Sequence, residues 1–133
     1  MTSVTRQEKG QSLVEFALLL PIFLLIVVGI AEFGRGWMTR NTMTAAAREA
    51  VRTAAMPPAL GGGVSNGRDR GYAILDAAGI TTNRSVDVED DGNRFGLVKA
   101  TVRYTFPLVA AGFVPGLGAD FPLETISTMR KEY

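Results

Sequence analysis

The chain contains neither cysteine nor histidine. Without cysteine there is no disulfide framework and no thiolate nucleophile, and nothing reports on the redox compartment. Without histidine, imidazole acid–base catalysis and most zinc sites are excluded. Excess charge is lacking too: 14 basic and 13 acidic residues leave a formal net charge of +1. That excludes a nucleic-acid binder working through bulk electrostatics. The first 55 or so of the 133 residues do not read as globular. About 75 residues therefore remain for a packed head, whose core must be small.

What the chain does have is one long apolar run. Phe16 to Ala31 is sixteen uncharged residues rich in Leu, Ile, Val and Phe, and Leu13 to Phe33 reaches 21 with Glu15 and Glu32 near its ends. About 20 apolar residues cross a bilayer as a helix, so a single-pass helix is expected. Pro21 lies inside it and frees the carbonyl of Ala17, so a kink or local melting is expected there. Trp37, flanked by Arg35 and Arg40, has the character of an interfacial anchor in contact with lipid. Residues 1–10 are polar and aperiodic and read as a short leader without regular structure. Removing them takes away Arg6, Lys9 and Glu8 and leaves 12 basic and 12 acidic side chains. Such a neutral chain with an exposed apolar helix is expected to associate.

Helical character continues to Ala55. Met43, Ala47, Ala50, Val51 and Ala54 form one stripe of mostly small apolar side chains. Arg40, Thr44, Arg48 and Arg52 form a polar ladder, and Pro57-Pro58 ends the helix. The small-residue face fits a packing seam in an oligomer, and it equally fits a cover for the chain's own sheet. Ala59 to Gly71, with GGGVSNG, reads as a flexible loop. Asp69 to Ala78 reads as a short helix capped by Gly79. Ser85 to Glu89, a hairpin turn at Asp90-Asp91-Gly92-Asn93, and the alternation of Val98, Ala100, Val102, Tyr104 and Phe106 read as two strands. A Pro/Gly-rich loop then leads to a last strand, Leu123 to Met129. The expected class is α+β and pilin-like: a long N-terminal transmembrane helix, one short helix and about three antiparallel strands. The division is 1–10 leader, 11–36 membrane helix, 37–56 its extramembrane continuation and 57–133 head.

Candidate metal and phosphate sites fail on spacing. The twelfth position from Asp87 in the acidic turn is Val98, where a calcium loop needs a bidentate Glu. GGGVSNG lacks the Gly-Lys-Ser/Thr of a phosphate loop. No metal, cofactor or catalytic residue is expected, and no nucleic acid.

The chemistry concentrates at the start of the apolar run. A charge there costs roughly 2.5–3.5 kcal/mol near a helix centre and less near an end, so Glu15 calls for a partner or a task. An ordinary signal anchor explains the run but not Glu15. A secretory signal cut after Ala31 follows a small-x-small pattern, but its apolar run would be long and would contain Pro21. In a third reading the segment resembles a class III (prepilin-type) signal, and the resemblance implies a charged leader ending at Gly10, cleavage between Gly10 and Gln11, and Glu15 at the fifth mature position. Cleavage would create an α-ammonium at Gln11 able to pair with Glu15 of a neighbouring subunit, which sets register and partner. Glu32 is a second candidate: it can answer Arg35 at i+3 or pair across helices in an assembly.

From Gly10 onward, G-QSLVEF followed by ALLLPIFLLIVVGIAEFGR resembles the TadE-like pseudopilins of the Tad, or Flp, branch of type IV pilus machinery. AAAREAVRTAA is similar to the Ala/Arg-rich helix that follows their membrane span; VKATVRYTFPLV and ISTMRKEY carry the resemblance more weakly. The resemblance implies a non-enzymatic minor pilin that is a substrate of a prepilin peptidase. It further implies residence in the inner membrane and partnership with other pilins and the inner-membrane secretion platform in building an adhesive fibre. It also implies that the head lies outside the cytoplasm, although Arg35, Arg40, Arg48 and Arg52 after the span favour the opposite orientation by the positive-inside rule. The rival class is an uncleaved single-pass envelope scaffold binding other secretion-system subunits.

Overall fold

A computed structural model describes residues 4–112 and 116–131, with side chains from Gly10 onward. The first helix, α1, runs Val4–Ala55. The chain divides into two compact units, Met1–Arg35 and Gly36–Tyr133, and each is described by itself.

Among the described residues the first unit is helix alone. It passes through Pro21 without interruption, so the helix is not melted there. Its apolar side chains stand in the open: Phe16, Leu19, Phe23 and Ile30 are each more than half exposed. Gly10–Ala55 is long and apolar enough to cross a membrane, and none of its most apolar stretch is buried. A helix apolar on all sides with no protein around it fits a single-pass membrane protein. Residues 1–3 of the leader lie outside the described residues. Val4 to Gly10 is helical where irregular structure was expected, since Gln7, Glu8 and Lys9 are all good helix formers.

In the second unit, α1 carries Met43, Ala46, Ala47, Ala50, Val51 and Ala54 at spacings of three and four, all buried. Pro57 disfavours the helical conformation at Met56, and the helix ends at Ala55. A short 3-10 turn, Pro58–Leu60, follows and closes on Gly61 at φ 80°. Helix α2 spans Val64–Ala77, five residues earlier than the expected start at Asp69. Its end is a Schellman cap: Gly79 N–H donates to Asp76 O and Ile80 N–H to Leu75 O, both at 2.9 Å.

The early start has a packing reason. A Cβ on Gly67 would lie 2.6 Å from Ala50 O and 2.7 Å from Ala54 Cβ, and one on Gly71 would lie 2.8 Å from Val86 Cγ1. These glycines let α2 approach α1 and the sheet closely; they do not loosen a loop. The expected flexible segment therefore ends near Gly63.

Three strands, β1 (Arg84–Asp90), β2 (Leu97–Pro107) and β3 (Asp120–Arg130), form an antiparallel sheet in the order β1-β2-β3. Val86 and Val88 of β1 and Val98, Ala100, Val102 and Phe106 of β2 are buried. All but Phe106 join Leu75 and the α1 stripe in one core. The Tyr72 hydroxyl of α2 accepts the Val86 N–H at 3.2 Å, so α2 satisfies one donor on the outer edge of β1. Pro122 is tolerated in β3 because its partner Thr105 turns its own N–H toward Asn83 O, at 2.9 Å, on the β1 side. The Thr105–Pro122 position is thus non-hydrogen-bonded, and the missing proline N–H faces the open edge.

The β1–β2 connection is longer than the expected tight turn. Residues 91–96 form the loop, and Asp91 accepts the N–H groups of Asn93 at 3.0 Å and Leu97 at 2.9 Å. A carboxylate can order six residues this way. The expected Pro/Gly-rich loop before β3 holds a second 3-10 turn, Val109–Gly112.

Candidate functional site: the Gly10–Glu15 junction and the apolar helix

Gly10 and Gln11 lie in helix and are exposed, and nothing stands within 4 Å of where a Gly10 Cβ would be. The junction is open on its side-chain face. One turn on, Glu15 is exposed among Leu13, Val14, Phe16, Leu18 and Leu19, each at least 61% exposed. Its carboxylate accepts a hydrogen bond from the Gln11 side-chain amide at 3.5 Å, the outer limit for such a contact. Among the described residues no cation pairs with it.

Glu32 differs. Its Oε1 meets Arg35 Nη1 at 2.6 Å, and only 11% of the side chain is exposed. The i, i+3 answer to Arg35 is the one observed. Its Oε2 is buried without a hydrogen-bond partner. Beyond it, Trp37 is 62% exposed and Arg40 is exposed, as an interfacial anchor requires.

The buried face of the small-residue stripe packs within the chain's own head. Ala46, Ala47, Ala50 and Ala54 are covered by α2 and the sheet, while Ala45 remains exposed. The polar ladder is broken up by a residue the sequence reading passed over. Glu49 holds Arg52 through two 2.9 Å hydrogen bonds and meets Arg70 of α2 at 3.5 Å. The Arg52 hydrogen bonds, more than Arg70, hold its carboxyl below the usual range, against a smaller opposing effect of burial. The Glu49/Arg52 spacing of three was the signal available in the sequence.

At the sheet, arginines are paired with carboxylates. An open groove of about 460 Å³ at the end of the sheet is lined by Arg84, Arg103, Tyr104 and Glu124 among others. Arg84 is held by Asp76 at 2.6 Å and lies over the Tyr72 ring, and Arg103 is held by both Asp87 and Glu124. In the acidic turn the Lys131 ammonium sits on Asp90 at 2.7 Å. Among the described residues no cluster of acidic side chains is arranged to hold a metal ion.

The helix and its junction are where this chain meets a known family. Residues 10–52 match the family model of TadE-like proteins. No curated protein and no solved structure gives a significant match. The TadE-like segment begins at Gly10 itself and takes in Glu15, Glu32, Trp37, Arg40 and the buried alanine stripe up to Ala50. The resemblance read from G-QSLVEF and from AAAREAVRTAA is thereby borne out over that span, and the match does not extend to the sheet.

Proposed function

We propose that this chain is a minor pilin or pseudopilin of a Tad (Flp) type IV pilus, cut after Gly10 by a prepilin peptidase. Residues 11–36 anchor it in the cytoplasmic membrane, residues 37–56 continue the helix, and the head lies on the extracytoplasmic side. It acts in fibre assembly alongside other pilins and the inner-membrane platform, with no catalytic role. The observation that carries this reading is Glu15: an exposed carboxylate without a cationic partner among the described residues, five residues beyond Gly10, at the start of an unburied apolar helix within the TadE-like match.

Cutting after Gly10 supplies the missing cation as the α-ammonium of Gln11. Four residues of helix separate Gln11 from Glu15, about 6 Å along the axis. In the assembly this reading describes, the ammonium meets the Glu15 carboxylate of a neighbour. Gly10 serves the cut as well, because glycine weakens a helix by about 1 kcal/mol relative to alanine at the point where a peptidase must open it. The interfacial Glu32–Arg35 pair and Trp37 then fix the depth of the helix.

The second reading, an uncleaved envelope scaffold, is favoured by the unbroken helix from Val4 across the junction. The mature N-terminus separates the two. A pilin begins at Gln11, and a scaffold keeps Met1.

A further inference from the structure

In the intact chain the Gln11 nitrogen is bound in the peptide link to Gly10, and the exposed side chain reaches one turn forward to Glu15. Once that link is cut, the nitrogen is a primary amine attached to a glutamine. Its lone pair can attack the side-chain Cδ. The N–Cδ bond forms, the Cδ–Nε2 bond breaks, and the displaced amide nitrogen takes a proton from the amine and leaves as ammonia. A five-membered lactam remains, with a neutral N–H where the ammonium had been. No oxidant, reductant or co-reactant is needed. Among side chains, glutamine combines the right chain length with an amide that releases ammonia.

We propose that Gln11 is a modification site whose state records assembly: a subunit whose Gln11 ammonium is paired with a neighbour's Glu15 keeps a free N-terminus, and an unpaired subunit cyclises. The proposal rests on cleavage after Gly10. A free α-amine has a pKa of about 7.7–8.0, so a fraction of unpaired N-termini carries an available lone pair at neutral pH. An ammonium donating to a carboxylate keeps its proton, and its lone pair stays occupied. The subunit's own Glu15 offers little restraint, since it holds the Gln11 amide only at 3.5 Å.

The functional consequence follows from charge. A cyclised subunit has no ammonium to offer the next Glu15, and no reversal is built into the reaction. Cyclisation therefore sets a time limit within which a processed subunit must find its neighbours.

The test is a pulse–chase of the full-length chain in cells carrying the complete pilus system. Membrane extracts are separated into an unassembled pool and a pool associated with other pilins, and the N-terminal peptide of each is weighed. The expected result is a Gln11-initiated peptide lighter by one ammonia, rising through the chase in the unassembled pool and several-fold scarcer in the associated pool. Gln11→Ala, which cannot form the lactam, is expected to show an unmodified mass in both. Free glutamine throughout, or equal cyclisation in the two pools, overturns the proposal. A peptide still carrying the ten leader residues differs by far more than one ammonia and overturns the cleavage reading itself.

Discussion

The Lys131 ammonium lies 2.7 Å from Asp90 Oδ1, joining the end of β3 to the start of the β1–β2 loop. The same end of the chain donates Lys131 N–H to Gly96 O at 2.9 Å and Arg130 Nε to Phe95 O at 3.0 Å. Lys131 is 6% exposed, so its charge is partly desolvated beside Asp90. Replacing Lys131 with Met is expected to lower the stability of the head by about 1 kcal/mol, measured by urea unfolding of the detergent-solubilised chain. Unchanged stability would show that the clasp contributes nothing.

The same pair gives the head an acid limit. The Lys131 hydrogen bond, then the Gly92 N–H, hold the Asp90 carboxyl below the usual carboxylate range, and Arg52 does the same for Glu49. Groups with lowered folded pKa values bind protons more readily unfolded. Their contribution is therefore present above the unfolded values and is lost as pH falls through the folded ones. Thermal stability of the head is expected to be flat above about pH 5 and to decline below about pH 4. A midpoint rising toward acid would contradict this sign.

Gly67 and Gly71 make the sharpest packing test. Gly67→Ala places a methyl 2.6 Å from a backbone carbonyl that cannot move cheaply. It is expected to cost about 1–3 kcal/mol despite the better helix propensity of alanine. Gly36→Ala meets nothing within 4 Å and is expected to be neutral or slightly stabilising. Equal effects of the two substitutions would mean that α2 does not pack as described.

These glycines also mark where the sequence was hard to read. GGGVSNG looks like a linker because glycine favours both loose loops and close helix contacts, and composition cannot separate the two. Only the partners, Ala50 and Ala54 on α1 and Val86 on β1, decide it. By contrast, the alternation from Val98 to Phe106 and the stripe from Met43 to Ala54 were legible, because burial on one face imposes a strict period. The strand Asp120–Arg130 was read short: Pro122 counts against a strand until its outward-facing position is known. At the site, the Gly10–Glu15 spacing and the Glu32/Arg35 pair were legible as local patterns. Glu49 was passed over because its task includes Arg70, 21 residues away and on another helix.

Replacing Glu15 with Ala removes the one carboxylate from the start of the apolar helix. Membrane insertion is expected to persist, since the helix becomes more apolar. If the chain acts as the pilin proposed above, its association with other pilins drops at least severalfold, read by cross-linking and by fibre yield. Normal fibres from a Glu15→Ala strain would refute the ammonium–carboxylate pairing.

The mature N-terminus tests the central claim most directly. The intact mass of the chain extracted from membranes of its own cells is expected to correspond to a start at Gln11, with the amine free or closed to the lactam. A mass that retains Met1, or one that begins at Glu32, would contradict the account.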